Sequence, residues 1–211
     1  NKIETKKLLD ELELKKQQSE QEIKKFNQQI IDKQNELNVI KKQKDDDILK
    51  IQKETSDKIA KIREDTERDN ANLIKKFEEE LAEFTGAPYA IMTDCCTHAI
   101  ELCLRHDRVK EVVMTPYTYL SIPMTMHKLG IHYVYHDTEW QHWEGEYEFT
   151  YTRIWDSARR LEQNMYRPGT MQCLSFGHTK PLHIGHGGAI LLDDKKAYET
   201  ILRQRYDGRD L

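Results

Sequence analysis

The chain has 211 residues and carries 33 basic against 37 acidic side chains, a formal charge of -4. The charge is shared evenly, 19 basic to 21 acidic up to Phe84 and 14 to 16 after it, so neither part offers a basic nucleic-acid surface. No window reaches the roughly 18 apolar residues of a membrane span.

All nine Gly, five Pro and nine His lie after Phe84, which separates an extended helical element from a globular one. The four cysteines, Cys95, Cys96, Cys103 and Cys173, lack the paired spacing of a zinc site or a disulfide framework. Reduced thiols and a cytoplasmic setting are the expectation. The first residue is Asn rather than Met, so truncation at either end stays open.

In the first part, Leu12, Ile23, Phe26, Ile30 and Leu37 fit a seven-residue repeat. From Leu37 the period lengthens to eleven. One row holds Leu37, Ile48, Ile59, Asn70 and Leu81, and a second holds Ile40, Ile51, Ile62, Leu73 and Phe84. Eleven residues in three turns predict a supercoil that straightens beyond Leu37. An unpaired helix would leave these rows in water, so the expectation is a coiled-coil stalk over residues 1–72 that self-associates as a parallel homo-oligomer. A single solvated helix held by charge pairs is the alternative.

The apolar row runs on into Thr85-Gly86-Ala87-Pro88, which ends the helix. Over residues 73–211 the pattern alternates. Strands are expected at 89–93, 111–115, 132–136, 153–155, 171–176 and 188–192, with helices at 97–105, 119–129, 157–164 and from Lys195 to about Tyr206. Alternation at this interval predicts an α/β fold with a mostly parallel sheet and crossover helices. The irregular stretch Asp137–Thr152, with Trp140, Trp143 and Tyr147, is read either as a sugar-stacking surface or as cover for an open sheet edge.

In such a sheet, ligand groups gather at strand carboxyl ends. Those ends carry Cys96-Thr97, Tyr119, Asp156 and Ser175, and Lys180 follows in a loop closed by Gly187-Gly188. Each has a plain structural alternative: helix caps for Thr97 and Asp156, a core aromatic for Tyr119, a strand end for Ser175, a loop cation for Lys180. Taken jointly, anion-binding groups, an aromatic, a carboxylate and a lysine are what a phosphorylated aromatic aldehyde would require. His178, His183 and His186 do not match a zinc pattern, and no metal is expected.

The segments Phe77–Ala90, Cys96–Leu102, Thr115–Ser121, Asp156-Ser157-Ala158 and Ser175-Phe176 with Lys180 resemble the DegT-type (DegT/DnrJ/StrS) sugar aminotransferases. The resemblance covers about residues 73–211. It implies a reduced fold-type I large domain that uses pyridoxal 5'-phosphate (PLP), preceded by an unrelated coiled coil. By the same resemblance, Lys180 carries the cofactor covalently and moves the proton, and Asp156 pairs with the ring nitrogen. Tyr119 stacks on the ring, while Thr97, Cys96 and Ser175 contact the phosphate. The family usually has Gln or His after its Asp-x-Ala; here Arg159 stands, able to reach the cofactor's phenolic oxygen. The short interval from Asp137 to Asp156 implies six strands rather than the family's seven, and the expectation is a shortened form without the family's small C-terminal domain after Asp207-Gly208-Arg209.

The implied activity is transfer of an amino group from an amino acid such as glutamate to a keto sugar carried on a nucleotide, without nucleic-acid or membrane partners. The alternative is a catalytically inert aminotransferase-derived domain on a coiled-coil stalk, with a structural or binding role in a larger assembly such as a virion.

Overall fold

The computed structural model describes residues 2–137 and 144–205, and divides the chain into two compact units, Asn1–Glu67 and Arg68–Leu211. Trp140, Trp143, Tyr206 and the segment from Asp207, on which part of the sequence reading rests, lie outside the described residues. Among those described, no helix is long and apolar enough to cross a membrane.

The first unit is formed by one helix, α1 (Lys2–Thr85), up to Glu67. The apolar rows read from the sequence lie exposed along it: Ile48 is 52%, Ile59 46% and Ile62 64% exposed. Side chains one turn apart tie its polar surface, as in Gln28 to Asp32 at 2.9 Å and Lys33 to Glu36 at 2.6 Å.

In the second unit the last turns of α1 end at Gly86, whose φ of 75° lets Ala87 N–H turn back to Ala82 O at 3.0 Å. The strands are β1 (Tyr89–Thr93), β2 (Glu111–Met114), β3 (His132–Tyr135), β4 (Tyr147–Glu148), β5 (Ile154–Asp156), β6 (Met171–Ser175) and β7 (Gly188–Leu192). The helices are α2 (Cys96–His106), α3 (Ser121–Leu129) and α4 (Lys195–Gln204). All six expected strands are present, and β4 is an addition. The expected helix over 157–164 is absent. Backbone donors at its end and just beyond pair elsewhere: Asn164 N–H reaches Phe84 O and Tyr166 N–H reaches Thr85 O, the final carbonyls of α1, both at 3.0 Å. The segment therefore satisfies the orphan carbonyls of another helix instead of its own ladder.

The mostly parallel six-stranded sheet is corrected by the structure. Five strands form a mixed sheet in the order β1-β7-β6-β5-β4, and β2 and β3 pair separately, in parallel. Only β5 and β6 run parallel within the larger sheet; β1 with β7, β6 with β7 and β4 with β5 are antiparallel. The physical reason is the connection: a loop, not a helix, joins β6 to β7, so the chain doubles back beside itself.

Alternate residues of the central strands feed two cores. Ile91, Met171, Cys173, Ile190 and Leu192 pack with α2, α3 and α4 residues such as Ala99, Ile100, Ile122 and Ile201. On the other face Ala90, Leu174, Ala189 and Leu191 meet Leu81 and Phe77 of α1 and Met165. A sheet covered on both faces leaves the strand ends as the place for a ligand.

Candidate active site

Because β7 runs antiparallel, its amino end lies at the same edge of the sheet as the carboxyl ends of β1, β5 and β6. Gly187 bridges Cys95 there, and a Cβ built on Gly188 would fall 2.5 Å from Cys95 C and Cys96 N. Glycine at 188 is thus what allows the start of α2 to lie against β7. Cys95 caps α2 by accepting from His98 N–H at 3.4 Å, and the hydroxyls of Thr97 and Ser121 are 2.7 Å apart, joining the starts of α2 and α3.

One cavity of about 380 Å³ at this edge is lined by Cys96, Thr97, Tyr119, Asp156, Arg159, Ser175 and Lys180, together with Ser121, His186 and Gly187 among others. All seven residues selected from the sequence are brought together. A second, smaller cavity of about 190 Å³ shares Tyr119, Asp156, Arg159 and Lys180 and adds Tyr117, Thr118 and Tyr147. Tyr119 is 77% exposed, so its ring is not the core aromatic of the plain reading.

Asp156, at the end of β5, is buried. Ala158 N–H donates to its Oδ1 at 3.0 Å and the Tyr147 hydroxyl to its Oδ2 at 2.9 Å. Burial pushes its carboxyl above the usual range, while those two donors and the charge of Lys180 act in the opposite sense. Lys180 sits in the β6–β7 loop, where its N–H closes a turn onto Gly177 O at 3.1 Å. Burial first, and then the neighbouring Asp156 charge, push the Cys96 thiol far up, which disfavours its thiolate.

Sequence reading missed the role of Tyr147. The sequence pattern groups this residue with Trp140 and Trp143 as a sugar-stacking surface or edge cover, whereas β4 sets Tyr147 directly opposite Asp156 in the sheet register. Glu146 was missed too. Its buried carboxylate holds Ser157 Oγ at 2.8 Å, Gln172 Nε2 at 3.0 Å, Arg167 Nη2 at 2.6 Å and the Arg160 guanidinium. The alternation of Tyr147 and Phe149 was the available signal for a strand. Among the described residues no group of three His, Cys, Asp or Glu is placed to hold a metal.

Residues 49–148 match the model of the DegT/DnrJ/EryC1/StrS aminotransferase family. Cys96, Thr97 and Tyr119 fall inside this stretch and Asp156, Arg159, Ser175 and Lys180 beyond it. No curated protein matches the chain. Among solved structures, 3-amino-5-hydroxybenzoic acid synthase is 21% identical, with 65% of this chain covering 47% of that one at a TM-score of 0.53. DesI, solved with its TDP-sugar product, is 19% identical, with coverages of 66% and 46% and a TM-score of 0.54. Helicobacter pylori PseC, an aminotransferase involved in the biosynthesis of pseudoaminic acid, is 19% identical, with coverages of 65% and 50% and a TM-score of 0.51. The chain thus spans about half the length of these structures, and the likeness at such identities is one of fold. The family that this chain resembles, in sequence motifs and in fold, is the DegT/DnrJ/EryC1/StrS aminotransferase family.

Proposed function

We propose that the unit from Arg68 onward binds PLP and transfers an amino group from an amino acid such as glutamate to a keto sugar nucleotide. The observation that carries this reading is the convergence of Lys180, Asp156, Tyr119, Ser175, Thr97, Cys96 and Arg159 on one cavity.

The donor set fits the group. Lys180 supplies the amine that anchors it and carries a proton. Asp156, a buried acceptor with two donors already fixing its plane, suits a ring N–H. Tyr119 has an exposed ring for a flat ligand, and the phosphate would take the hydroxyls of Thr97 and Ser175 at the amino end of α2, which begins at Cys96. Arg159 at the same cavity suits the phenolic oxygen. Bound there, PLP supplies the electron sink for amino-group chemistry. A lysine must be neutral to attack an aldehyde.

The test is borohydride reduction of PLP-loaded protein. A pyridoxyl mass is expected on Lys180 and none in Lys180→Ala; wild-type protein that takes up no PLP would end this reading.

A second reading, an inert aminotransferase-derived domain on an oligomeric stalk in a larger assembly, draws support from the exposed isoleucine rows of the first unit. Both readings include parallel self-association through those rows. Glutamate separates them: conversion of bound PLP to its amino form makes the domain a catalyst, and its absence favours the scaffold.

A further inference from the structure

Asp156 is the most deeply buried charged group of the site, and one side chain outside the seven residues selected from the sequence approaches it. Tyr147 lies across from it on β4, and register alone fixes the pair, since Tyr147 and Asp156 are Cα partners in the antiparallel ladder. The hydroxyl donates to Asp156 Oδ2 at 2.9 Å. Having given its proton there, the same oxygen faces the Thr118 hydroxyl, which is left as the donor to it. Thr118 belongs to the loop that also carries Tyr117 and Tyr119, and all three line the smaller cavity beside Lys180. The tyrosine ring is held edge-on to Phe149 with centroids 5.4 Å apart, so the hydroxyl has little freedom to swing away.

We propose that Tyr147 is a positioning residue of this site: its hydroxyl fixes the Asp156 carboxylate and keeps it an acceptor for the ring N–H of a pyridine cofactor, with Thr118 directing the proton. The inference rests on the PLP reading for its ligand, but the Thr118–Tyr147–Asp156 chain is a property of the protein alone. Burial, followed by the Asp156 charge, pushes the Tyr147 phenol far above its ordinary range, so the group remains a donor at every working pH. A phenol that cannot ionise is suited to hold a carboxylate ionised, because it offers a proton without adding a charge.

Two measurements on the full chain test it. The first compares binding of PLP with that of its 1-deaza analogue, in which a C–H replaces the ring nitrogen. Wild type is expected to prefer PLP, and Tyr147→Phe to reduce the preference by about tenfold, the size of one hydrogen bond to a charged group. Thr118→Val, which keeps the ring, should shift it the same way by less. An unchanged preference in Tyr147→Phe overturns the proposal. The second needs no cofactor: the carbon-detected titration of Asp156 should move upward in Tyr147→Phe, since a donor to the ionised form is lost. An unmoved midpoint overturns the proposal by itself. If wild type binds neither compound, the PLP reading falls and the Asp156 titration still decides the role of Tyr147.

Discussion

Two buried carboxylates of the second unit answer burial in opposite ways. Burial would raise Glu146, yet the hydrogen bonds from Arg167 and Ser157 and the charge of Arg160 outweigh it and hold the group below the usual carboxylate range. Glu78 accepts from Met92 N–H at 2.7 Å and from Arg205, but there burial dominates and the group is raised. The signs of their pH dependence therefore differ. The stability contributed by Glu146 is fully present above its unfolded value of about 4.3 and lost as pH falls through its lower folded value. For Glu78 the folded state disfavours ionisation, so falling pH removes a cost. At pH 6.5, Glu146→Ala should cost about 3–5 kcal/mol in urea unfolding, because two guanidinium groups lose their shared partner. Glu78→Gln should cost less, and the penalty of Glu146→Gln should shrink between pH 5 and 3.5 while that of Glu78→Gln does not. The placing of Asp156 at a strand end, and of Lys180 in the loop after the Ser175 strand, was legible in the sequence because strand ends can be read from hydrophobic runs. Glu146 and Tyr147 were not, because their partners lie across a hairpin in a stretch with little periodicity.

At the scale of elements, the start of α2 lies close against β7, and the approach depends on a missing side chain. Gly188 faces the backbone of Cys95 and Cys96, and no rotamer change relieves a clash between a Cβ and main-chain atoms. Gly188→Ala should displace the start of α2 and weaken PLP uptake by tenfold or more. It should also destabilise the fold by about 1–3 kcal/mol, a typical overpacking cost, measurable by urea unfolding. Unchanged uptake and stability would mean that α2 yields at no cost. The location of the strands was readable from their apolar runs; their direction was not taken from the pattern, although the signal existed. Strands 171–176 and 188–192 have no helix between them, and a connection of that kind favours a reversal. The general expectation that alternation makes sheets parallel overrode that local fact. The missing 157–164 helix is a different case: Ser157, Arg159 and Asn164 give their N–H groups to Cys173 O, Gly145 O and Phe84 O, partners distant in sequence that composition does not encode.

At the scale of the chain, the first unit contrasts with the second in what it leaves in water. Its described apolar side chains are exposed, whereas the second unit buries two continuous cores. Charge pairs between neighbouring turns add only a few tenths of a kcal/mol each, too little to hold a long helix at the cost of so much wetted apolar surface. Covering the rows with those of a second copy removes that surface from water at about 25 cal/mol per Å². The prediction is that the 25.1 kDa chain sediments as a multimer. Its helix signal should melt at a temperature that rises with protein concentration, as mass action requires. Ile48 and Ile59 share one eleven-residue row, so Ile48→Lys with Ile59→Lys places two cations in each copy's seam, where an unpaired charge is costly. The double variant should sediment as monomer and lose far-ultraviolet helix signal, while keeping the tertiary signal of the second unit. A wild-type chain that is monomeric at every concentration, with undiminished helix, would show instead that the rows are tolerated in water and that the stalk is a single helix.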